Sequence, residues 1–210
     1  MQLLPVIQIL LHDLQQTTPP EYIAVITGIA SVLFSRKENI LVYPVGLVST
    51  IIYIYISVKG NLIGEASVNL YYTIMSIYGW ILWAKVDKQK HETLLHITYS
   101  NKKELIQQLL FFAISYVILF YSLTWAKQVF APGAIPWADA FASATAYTGM
   151  WLMAKKKIEN WLWWIATNIA SIPLYYIKGY AFTSVQFIVL LVLAVMGWIT
   201  WSEKIKKRNA

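Results

Sequence analysis

Cysteine is absent from the 210 residues, which excludes a disulfide framework, a thiolate nucleophile and any Cys-based metal site. Charge is scarce, with Asp, Glu, Lys and Arg at 13% of the chain. The only histidines, His12, His91 and His96, fall outside the long apolar runs, which argues against a buried metal or proton relay built on imidazole. No carboxylate lies deep in an apolar run, so no carrier for a coupling proton or sodium ion is evident. Ser-His-Asp sets and paired carboxylates are missing at that depth too, which removes the machinery an intramembrane enzyme needs, and no cofactor is expected.

What fills the chain instead is apolar and aromatic, at 58% and 15%. A mean hydropathy of +0.53 lies far from the soluble average, and a globule of this length has too little core to hide several uncharged runs of spanning length. The composition predicts an all-α integral membrane protein with the bilayer as its partner. The net charge of +7 does not point to nucleic acid, because the basic residues stand at the ends of the apolar runs rather than among base-stacking aromatics.

Residues 1–18 are expected to form a short amphipathic interfacial helix, with Leu3, Leu4, Ile7, Leu10, Leu11 and Leu14 on one face and Gln8, His12, Asp13 and Gln15 on the other. A transmembrane domain at 19–204 follows, with spans near 21–35, 40–58, 62–83, 104–126, 137–154, 161–177 and 182–201, and a basic tail at 203–210. The polar stretch 85–103 reads as a loop with a short surface element at 93–99. Of the 17 Lys and Arg, alternating loops put Lys59, Lys127 and Lys178 on one side and the other 14 on the opposite side. Basic residues stay cytoplasmic, so the N-terminus is expected outside and the C-terminus inside.

An internal repeat is visible. Thr27-Gly28 returns as Thr148-Gly149 and Glu38-Asn39 as Glu159-Asn160, both 121 positions on, while Gly79-Trp80-x-x-Trp83 returns as Gly197-Trp198-x-x-Trp201 after 118. A loss of three residues within the second copy accounts for the change. The expected architecture is 3+1+3, with repeat one at 20–85, a linker helix at 104–126 and repeat two at 136–202. Each copy plus linker holds an even number of spans, so the copies enter the membrane in the same sense, a transporter arrangement with its site where the repeats meet.

The sixth span carries Trp161, Trp164, Asn168, Ser171 and Tyr175. Steps of three and four put them on one helical face as a polar-aromatic stripe. Asn168 has four hydrogen-bonding sites in a stretch that belongs in lipid, so it must face protein, water or ligand. Asn69, with Tyr72 nearby in the third span, and Gln186 in the seventh are further candidates for contact with a small solute. Glu65 and Asp139, near span ends, read as solvated or capping. The Gly-Trp-x-x-Trp endings read as interfacial anchors. Indoles, phenols and amides suit a flat heteroaromatic solute, and ring faces hold a cationic one without a counter-charge.

Glu159-Asn160-Trp161-x-x-Trp164-x-x-x-Asn168-x-x-Ser171, Lys178-Gly179 and Leu193-Ala194-Val195-Met196-Gly197-Trp198-x-x-Trp201, with Tyr43-Pro44-x-Gly46 and Tyr78-Gly79-Trp80 in the first half, resemble the PnuC vitamin transporters over residues 20–204. The resemblance implies a SWEET-like fold, often trimeric, in a bacterial inner membrane. It implies facilitated diffusion of nicotinamide riboside, trapped by a separate cytoplasmic kinase, with thiamine or riboflavin carried by relatives. By position in the motif, Trp164 and Asn168 would contact the vitamin, with Gln186 and Asn69 as lesser candidates.

Overall fold

The computed structural model describes residues 17–60, 63–86, 93–129 and 133–209. The expected interfacial helix thus lies outside the described residues, apart from its last two positions. The described residues form seven helices: α1 (Pro19–Arg36), α2 (Val42–Lys59), α3 (Ile63–Trp83), α4 (Lys102–Val129), α5 (Pro136–Ala154), α6 (Asn160–Ile177) and α7 (Ala181–Asn209). No named strand occurs among them. Helix α7 continues through residues 203–209, so the basic end of the chain rides on its last turns.

Local chemistry starts the helices. Pro19 and Pro20 open α1, where a missing N–H costs nothing. The Glu21 carboxylate accepts from the N–H and hydroxyl of Thr18. Pro136 opens α5, and Asp139 accepts from the Ile135 N–H at 2.7 Å. Asn101 and Glu104 form a reciprocal capping box at the start of α4. Asp139 therefore caps, as expected.

Helices α2, α4 and α7 are long and apolar enough by length and composition to cross a membrane. Helices α3 and α6 are richest in tyrosine, tryptophan, serine, threonine and amide, much of it facing an internal cavity. Consecutive helices pack within α1–α2–α3 and within α5–α6–α7; α1 also packs on α7 and α3 on α5. Six helices thus close a ring, with α4 outside it against α5. Helix α5, which touches α3, α4 and α6, buries Ala140, Ala142, Ala144, Thr145, Ala146, Thr148 and Gly149. Small side chains let three neighbours approach.

The two triplets correspond at one spacing. Val42 and Asn160 begin the second helices 118 positions apart, Lys59 and Ile177 end them 118 apart, and Ile63 and Ala181 begin the third helices 118 apart. The expected three-residue loss is therefore corrected: Thr27-Gly28 and Glu38-Asn39 do not stand opposite Thr148-Gly149 and Glu159-Asn160. Packing obeys the uniform spacing. A Cβ on Gly79 would lie 2.5 Å from the Tyr43 ring, and one on Gly197 would lie 2.6 Å from the Trp161 ring. The Tyr43–Trp83 rings meet edge-on at 5.2 Å and Trp161–Trp201 at 5.5 Å.

Those contacts also correct the anchoring expectation for Trp83 and Trp201. Both are buried, and each indole donates to a carbonyl at the end of the opposite triplet's first helix, Trp83 to Ala154 at 3.2 Å and Trp201 to Ser35 at 3.1 Å. A buried indole N–H needs a partner, and the frayed end of a helix supplies one. Trp80 is exposed, as an anchor would be.

The segment 93–101 is more than a surface loop. Thr98 pairs in parallel with Lys157: its N–H donates to Lys156 O and its carbonyl accepts from the Ile158 N–H, both at 3.1 Å. Ser100 donates from its N–H and hydroxyl to the Glu159 carboxylate. Arg208 donates to Ile97 O. The segment straps the connection between α5 and α6.

Candidate functional site

A cavity of about 1620 Å³ runs between the ring helices and reaches α4, whose Leu119, Ser122 and Ala126 line part of it. All eight residues singled out from the sequence line it: Asn69, Tyr72, Trp161, Trp164, Asn168, Ser171, Tyr175 and Gln186. They occupy different depths. Glu65, Asp139 and Lys178 stand at one end of the wall. Tyr43 and Trp161 stand at the other, beside the buried Trp83 and Trp201. Trp161, 1% exposed, therefore belongs to the floor.

Between the ends, the α6 face turns Trp164, Asn168 and Ser171 inward. Trp164 lies over Gly149, where a Cβ would be 3.2 Å from the indole, so the missing side chain makes room for the ring. Asn168 is 3% exposed, and none of the hydrogen bonds among the described residues engages its amide. A buried amide without a protein partner costs about 1–3 kcal/mol. An amide facing a cavity can recover that from water or solute. Neighbouring Thr167, by contrast, is satisfied within the protein by Thr145 and Trp163 O.

Aromatic walls frame the amide. Tyr71 and Tyr147 stack at 4.1 Å and 25°, Tyr72 meets Tyr147 edge-on at 6.4 Å, and Tyr72 lies 6.1 Å from Trp164. Tyr71 donates to Tyr147 O at 3.0 Å, tying α3 to α5. Asn69 spends part of its amide on Glu65 O in its own helix, at 2.9 Å. Gln186 and Tyr53 line the same wall.

Sequence reasoning missed Tyr147 and Tyr53. Tyr147 immediately precedes Thr148-Gly149, and the gap Gly149 leaves for Trp164 was its one available signal. Tyr53 sits in the most uniformly apolar helix, where period alone does not assign a face.

Charge in the wall is lopsided. Among the described residues, Glu21, Glu65 and Asp139 line the cavity against Lys178 alone, and Lys178 is paired with Asp139 at 2.5 Å. Glu65 has no ion-pair partner among the described residues. A chain of net charge +7 thus surrounds a cavity of net negative wall charge. Low-dielectric walls focus such a field and raise the local concentration of cations.

The chain is similar to known proteins in sequence and in fold. The nicotinamide riboside transporter PnuC of Escherichia coli (strain K12) is 23% identical over 213 residues, covering 90% of this chain and 87% of that protein. PnuC of Neisseria mucosa is 27% identical, covering 89% and 73%. The riboflavin/roseoflavin transporter RibM of Streptomyces davaonensis is 21% identical, covering 84% and 81%. The crystal structure of the vitamin B3 transporter PnuC superposes with a TM-score of 0.73 at 21% identity, over 96% of this chain and 90% of that one, which shows a shared fold. A family model described as nicotinamide mononucleotide transporter matches residues 18–203. With that span and three strongly apolar helices, the chain is a multi-pass membrane protein and belongs to this transporter family, the family of the PnuC vitamin transporters.

Proposed function

We propose that the chain carries a flat, cationic heteroaromatic vitamin, nicotinamide riboside first and thiamine second, through the cavity between two like-oriented triplets. The observation that carries this reading is the unpartnered Asn168 amide facing the cavity beside Trp164. A pyridinium ring against the faces of Trp164, Tyr72 and Tyr147 gains cation–π attraction, about 2 kcal/mol or more when desolvated. A carboxamide on that ring satisfies the donor and acceptor of Asn168. Glu65 supplies a favourable field at the end shared with Asp139 and Lys178.

The mechanism follows from what the wall holds. Among the described residues the wall's carboxylates stand at one end, away from the depth of Asn168, which supports movement of the solute down its own gradient by facilitated diffusion. Phosphorylation of the product by a cytoplasmic kinase would add negative charge, which the acidic wall disfavours, so the trapped product does not return. The same argument favours the nucleoside over its phosphorylated form. Related by an axis along the membrane normal, the triplets alternate access by rocking about it. The protein sits in the cytoplasmic membrane with its N-terminus outside and assembles as a trimer.

Calorimetry of the purified protein with nicotinamide riboside, thiamine, riboflavin and nicotinamide mononucleotide tests the reading. Binding of a cation, weakened strongly by Asn168→Ala, is expected. Riboflavin binding alone would move the chain to the other branch of its relatives, and tightest binding of the mononucleotide would refute the charge argument.

A further inference from the structure

The floor of the cavity has a lock, and its two halves are held unequally. Glu38, between α1 and α2, and Lys156, between α5 and α6, lie 118 positions apart and both adopt left-handed backbone, at φ 62° and 50°. They are joined at 2.8 Å, and the Lys156 ammonium also sits 4.6 Å above the Trp83 ring. Lys204 of α7 completes the cluster, 3.0 Å from the second oxygen of Glu38. Strained backbone persists where surroundings over-determine it, and in a switch region the strain belongs to the switch. The ion pair is what ties one strained residue to the other.

The corner around Lys156 is pinned by backbone. The strap holds it through Thr98 on Lys156 O and Ile158 and through Ser100 on Glu159, and α4 adds an ion pair from Glu104 to Lys157. Gln108 extends the anchorage, donating to Ser100 and accepting from the Trp163 indole. The corner around Glu38 has no strap among the described residues. Besides the ion pairs, side-chain bonds hold it to α7: Arg36 to Thr200, Lys204 to Lys37 O, and Trp201 to Ser35 O. Beneath both corners, the Tyr43 hydroxyl and Trp161 indole N–H are buried without partners. Opening the floor would hydrate both atoms, which lowers the cost of leaving the closed state.

We propose that the floor opens asymmetrically: the α1–α2 corner swings away while the strapped α5–α6 corner stays fixed, and Glu38 is the latch. This rests on the transport reading only in giving the motion a purpose. Removing one partner of a buried pair leaves the other uncompensated, and the Lys156 side chain is 3% exposed, so Glu38→Gln releases the latch.

Hydrogen–deuterium exchange on the full chain in nanodiscs tests it. Glu38→Gln is expected to speed exchange across 36–41 at least tenfold and leave 155–159 unchanged. The apolar pair Glu38→Leu with Lys156→Leu is expected to restore protection. Ser100→Ala with Glu159→Gln is expected to free 155–159 instead. Equal acceleration of both corners, or acceleration of 155–159 alone in Glu38→Gln, overturns the proposal. If Glu38→Gln does not fold, Lys156→Gln, which leaves Lys204 on Glu38, carries the same test. Flux in liposomes separates the two readings: a released corner with no vitamin flux refutes transport and keeps the latch, whereas flux through a protein whose 36–41 amides never exchange refutes the latch.

Discussion

Replacing Gly197 by alanine would put a methyl carbon 2.6 Å from three ring carbons of Trp161, where ordinary contact begins at 3.4 Å. The ring has no room to retreat, being 1% exposed with Trp201 edge-on against it. Overpacking of this kind costs about 1–3 kcal/mol, offset by roughly 0.5–1 kcal/mol from removing a helical glycine. The net loss is about 1–2 kcal/mol, and at ~2–4 °C per kcal/mol for a chain of this size the unfolding temperature falls by about 5 °C. Gly79→Ala, 2.5 Å from Tyr43, is expected to behave alike. Gly46→Ala meets Ser31 at 3.5 Å and is expected to be neutral or to gain up to about 0.5–1 kcal/mol. Tryptophan fluorescence during heating of the purified protein reads all three. Equal unfolding temperatures for Gly197→Ala and Gly46→Ala would refute the packing argument.

Further outcomes follow from the same structure. Asn168→Ala removes no protein hydrogen bond, so it is expected to weaken vitamin binding about 10–100-fold, the worth of one or two lost hydrogen bonds, with the unfolding temperature unchanged; calorimetry and melting together check this. Trp83→Phe strands Ala154 O and is expected to destabilise by about 1–3 kcal/mol, with Trp201→Phe matching it through Ser35 O; loss at only one site would contradict the paired cross-brace. Burial opposes ionisation of Glu38, but Lys156 and Lys204 outweigh it and hold its carboxyl below the ordinary value of 4.5. A depressed value stabilises above the unfolded pKa and is lost as pH falls through the folded one, so protection factors across 36–41, each taken against the intrinsic exchange rate at that pH, are expected to stay flat from neutral pH down to that ordinary value and to fall only below it.

Much of this was legible in residue order. Apolar runs bounded by charge gave the seven helices because spans need length and uncharged faces. The α6 stripe was legible because Trp164, Asn168 and Ser171 share a helical face whatever lies opposite. The register of the repeat was not: Glu38-Asn39 and Glu159-Asn160 look alike as letters, yet the true counterpart of Glu38 is Lys156, a pairing of opposite charges that similarity cannot detect. Trp83 and Trp201 looked like belt residues because their position at a helix end is shared by anchors and by plugs; only the carbonyl opposite decides. The strap stayed hidden because Thr98 docks through backbone alone and Ser100 finds Glu159, 59 positions on, with nothing in the local pattern to link them.

The central claim, that the cavity passes a cationic vitamin with no coupled ion, is tested most directly by uptake of labelled nicotinamide riboside into liposomes holding the purified protein. The account predicts that the label equilibrates with proton and sodium gradients collapsed and that Asn168→Ala slows it. Uptake that occurs only with an imposed ion gradient, or that Asn168→Ala leaves untouched, would contradict it.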